Sequence, residues 1–204
     1  QMNPHFIFNA LNSIEQYVAV NEAELAETFI NKFSRLTRLI LEASREPFIP
    51  LTKEIELLNN YLSIEQVRFD QSFSYAIKIN DKINPEETHI PPMLIQPYIE
   101  NAIIHGIDHS RRDGQIEIEL QQETNKLRCT IKDNGIGINQ SIANKQKSSI
   151  QTFHQSIGTK AIQERLKVLS ELYSIELKSE VTDLAINAEN GTKVIFEIPV
   201  KIWM

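Results

Sequence analysis

A single cysteine among 204 residues rules out an internal disulfide. Cys129 sits in an alternating apolar run, where a thiol packs as a small hydrophobe, and such usage suits a reducing compartment. Long apolar stretches are also missing: no run approaches the roughly 18 residues needed to span a bilayer, and no secretory signal pattern is present. The chain opens on Gln1 rather than Met, so an upstream region carrying a membrane anchor is expected, with this stretch as its cytoplasmic part. Basic residues are in deficit, 21 Lys and Arg against 27 Asp and Glu, for a net charge of −6. A broad nucleic-acid-binding surface is therefore not expected, and any anion site must be built locally. There is no internal repeat. The remaining composition, 41% hydrophobic and 24% charged, is that of an ordinary soluble globular chain, long enough for one large domain or two small ones.

The opening stretch, Gln1 to Ile14, organises the reading. On a helix of about 3.6 residues per turn, Ile7, Leu11, Ile14 and Val18 form one stripe, expected to face the core, while His5, Asn9, Asn12 and Gln16 project from the opposite side. Asn3 followed by Pro4 reads as an N-cap with proline at the first helical position, which puts His5 in the first turn. The helix dipole there disfavours imidazolium and keeps the ring neutral and nucleophilic, a state suited to accepting a phosphoryl group. A lone surface histidine is more often a bystander, so the weight must come from downstream.

Asn21 is three residues before Glu24 and opens a second helix with Leu25, Phe29, Phe33, Leu36 and Ile40 on one face, closed by Pro47 and Pro50. Thr52 is placed to cap a third, carrying Ile55, Leu58, Leu62 and Glu65 to about Arg68. Successive amphipathic helices with short connections predict a helical hairpin or bundle, and such stripes either pack within one chain or hold a dimer. The period changes after Arg68. Phe73 to Ile79 alternates as a strand, Pro91-Pro92 introduces a helix through Met93, Tyr98 and Ile103 to Gly106, and two strands follow around Ile116 to Leu120 and Leu127 to Ile131, with a turn near Asn125. Residues 139–156 are polar and aperiodic. Gly158 to Tyr173 returns to helix with Ile162, Leu166, Leu169 and Leu172 in line, and strands near Ile175 to Val181 and Thr192 to Val200 close the chain. The expected class is α+β, with a helical region over 1–70 and a sandwich of one sheet covered by helices over 71–204.

Within the second region, Glu100, Asn101 and His105 are polar residues inside an apolar helix. Asn101 and His105 are four apart, hence neighbours on an α-helix, and a carboxamide oxygen suits Mg²⁺, although an Asn bonded to backbone would look the same. Asp133-Asn134-Gly135-Ile136-Gly137 follows a strand. An acid there can accept a hydrogen bond from a purine amine, and the glycines permit close backbone approach, though ordinary turns share the pattern. Gly158-Thr159-Lys160 opens a helix whose N–H groups suit phosphate, and Gly191-Thr192 is a shorter signal that also fits a plain hairpin turn.

Taken in order, these stretches resemble the catalytic core of a sensor histidine kinase of the LytS/YehU-type family, with its GHKL-type ATPase domain. The resemblance covers nearly the whole chain. Gln1 to Ile14 is similar to the family's phosphoacceptor box, Tyr61 to Phe69 (YLSIEQVRF) to its connecting helix, Pro91 to Gly106 to its N box, and Asp133 to Ile138, Ser156 to Gly158 and Gly191-Thr192 to its three glycine boxes. It implies ATP and Mg²⁺ as cofactors, Mg²⁺ held by Asn101, adenine read by Asp133, and a nucleotide site lined by His105, Gly135, Gly137, Gly158, Thr159, Lys160, Gly191 and Thr192. Residues 139–156 would form a lid over ATP. His5 would attack the γ-phosphate and pass the phosphoryl group to an aspartate of a response regulator receiver domain, within a homodimer.

Three departures qualify the match. Phe6, not an acid, follows His5, as is usual in this family, which leaves the general base unassigned; Glu100, beside Asn101, is the candidate, with a structural role as the alternative. Ile104 stands where a lysine is common, so Lys145, Lys147 or Lys160 would supply the missing charge. Ser156 replaces a usual glycine. Asn9, one turn beyond His5, is a candidate for positioning water in a phosphatase reaction on the regulator. The competing readings are an ATPase or conformational clamp in which His5 has no chemical role, and a catalytically weak dimeric scaffold.

Overall fold

The computed structural model describes residues 4–107, 113–123, 126–137, 164, 166–172, 174, 177–184 and 190–202. Three helices come first: α1 (Pro4–Ala19), α2 (Ala23–Ala43) and, after the two-residue strand β1 (Ile49–Pro50), α3 (Leu51–Arg68). Helix α1 turns out to be apolar on two sides. Phe6 and Ala10 are buried with Ile14 and Tyr17 packed behind them, whereas the expected inward residues Ile7, Leu11 and Val18 are exposed, Leu11 by 52% and Val18 by 63%. The reason is aromatic packing: the Phe6 ring lies 5.1 Å from Tyr61 of α3 and 6.0 Å from Phe33 of α2, and this fixes the helix's rotation.

The expected caps also differ. Asn21 does not start α2; it ends α1. With φ +62 it takes the left-handed position of a paired C-terminal bond pattern, in which its N–H donates to the Val18 carbonyl (3.1 Å) and the Glu22 N–H to Tyr17 (2.9 Å). The same pattern closes α3, where Asp70 donates to Val67 and Gln71 to Gln66. Helix α2 buries Ala26, Phe29, Leu36, Ile40 and Ala43 but leaves Leu25 exposed, and it stops at Ala43, short of either proline. Thr52 lies inside the first turn of α3 and bonds Glu86 instead of capping.

Strand β2 (Phe73–Ile79) has the predicted bounds. It is followed by β3 (Thr88–Ile90), the helix α4 (Gln96–Asn101), β4 (Gly114–Glu123), β5 (Lys126–Asp133), β6 (Ser179–Asp183), β7 (Thr192–Pro199) and β8 (Lys201–Ile202). Five strands form one sheet in the order β2-β4-β5-β7-β6, with β2 parallel to β4 and the other pairs antiparallel; β1, β3 and β8 form a small second sheet. The period of two sorts the large sheet's faces. Ile116, Ile118, Leu120, Leu127, Cys129, Ile131, Phe196 and Ile198 are buried, and burial pushes the Cys129 thiol well up. The opposite face carries charge pairs such as Lys78 with Glu117 and Arg128 with Glu123. The Tyr98 ring stacks on Phe196 at 4.1 Å and ties α4 to the apolar face. From 166 to 172 the chain is helical; Leu166 and Leu169 turn inward, while Leu172 is exposed, contrary to the expected stripe. One apolar core joins the three helices to the sheet, the α+β sandwich predicted. Among the described residues no helix is long and apolar enough to cross a membrane.

The segment entering α4 departs from expectation. Pro91-Pro92 does not begin the helix, because Met93 adopts φ +59 and its N–H is taken by the buried Glu54 carboxylate of α3 at 2.9 Å. A left-handed non-glycine residue cannot continue a helical turn. Helix α4 starts three residues later, with Pro97 in its first turn, where proline costs no hydrogen bond.

Candidate nucleotide site

Two remote segments meet at Asp133. It ends β5, and the strand's alternation sends its carboxylate to the same buried side as Cys129 and Ile131. Its Oδ1 accepts the Gly135 N–H at 2.9 Å and the Thr192 N–H at 3.2 Å. Neither bond ends on Oδ2. Burial pushes the carboxyl up to about 6; the two N–H groups oppose that shift and the nearby Asp183 adds to it. At neutral pH Asp133 remains about nine-tenths ionised, an acceptor held in place by backbone.

The turn after Asp133 crosses the end of the Asn101 helix. Beyond Asn101, α4 continues as a π-helical turn, Ala102–Gly106, closed by a bond from the Ile107 N–H to the Ala102 carbonyl at 2.9 Å. The Ile136 N–H donates to the Gly106 carbonyl at 2.8 Å. A Cβ on Gly135 would lie 1.8 Å from that oxygen, so the crossing tolerates no side chain. Gly191 makes a second close approach from β7's leading turn: at φ +112, a Cβ there would lie 1.9 Å from the Asp133 carbonyl oxygen. Asp133, Gly135, Gly191 and Thr192 are thus brought together around the end of the helix that carries Asn101, one turn upstream and half-buried.

The π turn alters one premise. The i,i+4 neighbourhood of Asn101 and His105 assumes α-helical winding, whereas the chain winds more widely from Ala102; the His105 side chain lies outside the described residues. π turns within α-helices are frequent at functional sites. Gly158, Thr159, Lys160, the 139–156 stretch with Lys145 and Lys147, and Ser156 also lie outside the described residues. In α1, which runs unbroken from Pro4, Asn9 follows His5 by about one turn, and only the backbone of His5 is described.

Sequence reading gave Glu65 no role beyond the helical stripe. It is almost fully buried on α3 at the end of the YLSIEQVRF stretch, its Oε2 2.8 Å from Arg68 Nη2, and Arg68 in turn covers the Phe69 ring at 4.3 Å. Burial pushes Glu65 up to about 7; Arg68 pulls it down and the charge of Glu100 raises it. Glu100, the candidate base, therefore acts on a second acid from α3 and on Tyr61, whose hydroxyl is pushed well up first by burial and then by the charges of Glu65 and Glu100. The available signal was an acid on a buried helical stripe. Because folded Glu65 holds its proton up to about 7, against ~4.3 unfolded, folding takes up a proton and stability falls as pH rises through that window. Glu65→Gln should flatten this slope and gain up to about 3 kcal/mol at pH 8 relative to pH 4. Urea unfolding across that range checks it; an unchanged slope assigns the proton elsewhere.

With this geometry in view, the comparisons are specific. Residues 91–202, more than half of the chain, match the family described as histidine kinase-, DNA gyrase B-, and HSP90-like ATPase, and residues 1–73 match the family described as histidine kinase. The chain belongs to the histidine kinases that carry this ATPase fold. The sensor histidine kinase YpdA of Escherichia coli is 31% identical over 199 residues, 98% of this chain and 33% of that protein. The sensor protein LytS of Oceanobacillus iheyensis is 32% identical over 204 residues (98% and 33%), and that of Staphylococcus haemolyticus 36% over 138 residues (68% and 23%). The chain thus spans a third or less of the length of these curated relatives. Among solved structures, the histidine kinase domain of the Erythrobacter litoralis EL346 blue-light activated histidine kinase aligns over 93% of each chain, with a TM-score of 0.55 at 15% identity, a likeness of fold.

Proposed function

We propose that the chain is the kinase core of a two-component sensor: it binds ATP, transfers the γ-phosphoryl group to His5, and passes it to an aspartate of a response regulator receiver domain. The observation that carries the reading is the Asp133 carboxylate, buried, fixed by two backbone N–H groups and hemmed by glycine backbone, because that arrangement suits an adenine amine laid against a glycine loop. Asp133 receives the base, Gly135, Gly137, Gly191 and Thr192 shape its wall, and His105, Gly158, Thr159 and Lys160 complete the nucleotide site. Mg²⁺ would be held by Asn101, whose half-buried carboxamide fits an ion that otherwise keeps waters and phosphate oxygens, and it would neutralise phosphate charge. What the chain itself supplies is positioning: the neutral imidazole of His5 at a helix start as nucleophile, and Glu100 as the base that receives its proton. Asn9 positions a water that attacks the regulator's aspartyl phosphate in a separate phosphatase reaction, releasing inorganic phosphate and the free aspartate.

The division of labour falls near residue 70, between a phosphoacceptor region and an ATP-binding region. The two act within a homodimer anchored to a membrane by segments upstream. Support for the dimer comes from α1 and α2, which leave Ile7, Phe8, Leu11, Val18, Leu25, Ile30 and Leu41 exposed, Phe8 by 64%. Leu11→Glu should shift the protein to monomer at micromolar concentration with its helix content intact. Sedimentation with circular dichroism reads this, and an undisturbed dimer would place the interface elsewhere.

Two measurements test the nucleotide reading. In a Mg-ATP titration, Asp133→Asn should bind about 10- to 100-fold more weakly, the loss of one hydrogen bond to a charged group. Incubation with γ-labelled ATP should leave acid-labile label on the protein; label found only as free phosphate would favour the plain ATPase or clamp.

A further inference from the structure

Asp183 was singled out by no motif, yet it lies beside Thr192 and Gly137, next to the Asp133 carboxylate's own partners. It ends β6, is buried, and is registered against Thr192 of β7, the residue whose N–H bonds Asp133. The hairpin closes just beyond it, with the Leu184 N–H on the Gly191 carbonyl at 3.0 Å. Gly137 stands against its carboxylate. At φ +78, a Cβ on Gly137 would lie 2.8 Å from Asp183 Oδ1 and 3.5 Å from Oδ2. The Asp133–Gly137 loop therefore meets a carboxylate at both ends: Gly135 is hydrogen-bonded to Asp133, and Gly137 is packed against Asp183 with no room for a side chain between them.

We propose that Asp183 is a second, positioning carboxylate of the adenine-nucleotide pocket, fixing the Gly137 end of the loop whose Gly135 end Asp133 fixes. The inference rests on the nucleotide reading of the site. It has two consequences that a merely structural acid would not share. The first is steric: the planar group packed against Gly137, whether carboxylate or carboxamide, backs the loop on which the base would lie. The second is electrostatic. Asp133 is faced by the Gly135 and Thr192 N–H groups, the backbone of Gly106 and the apolar Ile116 of β4; among the described residues Asp183 is the charged side chain acting on it. A second negative charge keeps a proton on Asp133 to higher pH, and Asp133 accepts an amine hydrogen more strongly when ionised, with no O–H of its own turned toward the amine. Nucleotide binding should weaken as pH falls through about 6.

The test is Mg-ADP binding by calorimetry between pH 5 and 8 on the parent, Asp183→Asn and Asp183→Ala. Asp183→Asn should bind within about threefold of the parent at pH 7.5, with the acid midpoint moved measurably down, the direction expected on loss of a neighbouring negative charge. Asp183→Ala should bind about tenfold more weakly at pH 7.5, because removing the carboxylate opens a gap behind Gly137 and frees that end of the loop. Equal binding by Asp183→Ala, or an unmoved midpoint in Asp183→Asn, overturns the inference and leaves the pocket reading intact. A parent that binds no ADP overturns the pocket reading, and the inference with it. If neither variant folds, carboxyl NMR of the parent decides: the Asp133 signal should titrate near 6 and also register the ionisation of Asp183, and an Asp133 curve blind to Asp183 overturns the proposal.

Discussion

Gly135→Ala should abolish measurable nucleotide binding and destabilise the fold by about 3 kcal/mol or more. A glycine-to-alanine change in an ordinary loop stabilises by a few tenths to 1 kcal/mol through the unfolded chain, so the sign itself is diagnostic. At Gly135 the added methyl would sit 1.8 Å from the Gly106 carbonyl oxygen and 2.1 Å from its carbon, backbone atoms at the end of a helix anchored in the core. Nothing there is a flexible side chain that could swing away. The loop must lift instead. Lifting it breaks the Ile136 N–H bond to Gly106 and withdraws the Gly135 N–H from Asp133, so the acid loses one of the two donors that orient it. Overpacking of about 1–3 kcal/mol adds to two lost bonds of about 0.5–1.5 kcal/mol each. For a chain of this size the melting temperature should fall by roughly 6–12 °C. Calorimetric melting and an ADP titration read both effects. A variant as stable as the parent that still binds nucleotide would show that the loop does not rest on the helix end in solution.

His5→Gln carries the other large effect, on chemistry and not on folding. Residue 5 lies in the first turn of α1, upstream of the Phe6 contact that seats the helix, and glutamine is a good helix former; the fold should therefore survive. Phosphoryl transfer to the protein should nevertheless fall at least 100-fold, because a carboxamide nitrogen is no nucleophile at neutral pH whereas a neutral imidazole is. ATP binding should be unchanged, since the residues proposed to hold the nucleotide lie between Asn101 and Thr192.

How far the sequence could be read depended on whether a contact was local. Strands β2, β4 and β5 were legible because Tyr75, Ile77 and Ile79, or Leu127, Cys129 and Ile131, alternate against polar partners, and a half-buried strand permits little else. The rotation of α1 was not legible. Ile7, Leu11 and Val18 make as good a stripe as Phe6, Ala10, Ile14 and Tyr17, and only the rings of Phe33 and Tyr61, from two other helices, choose between them. Asn21 fits the start of one helix and the end of the other equally well; its left-handed backbone decides. The strands β1, β3 and β8 are two or three residues long, too short for periodicity to register. At the pocket, Asp133 and its glycines were visible as a pattern, but the Gly106 carbonyl under Gly135 and the Asp183 carboxylate against Gly137 are contacts across 29 and 46 residues of sequence, and no spacing rule reaches them.

The imidazole on α1 and the pocket at Asp133 stand in different parts of the chain, and the account requires that they serve one reaction. The direct test is to incubate the parent, His5→Gln and Asp133→Asn proteins with Mg²⁺ and γ-labelled ATP and to locate the label by peptide mass spectrometry under non-acidic conditions. The account predicts label on His5 in the parent, little in Asp133→Asn, and none in a His5→Gln protein that still binds ATP. Label of undiminished yield in His5→Gln would contradict it.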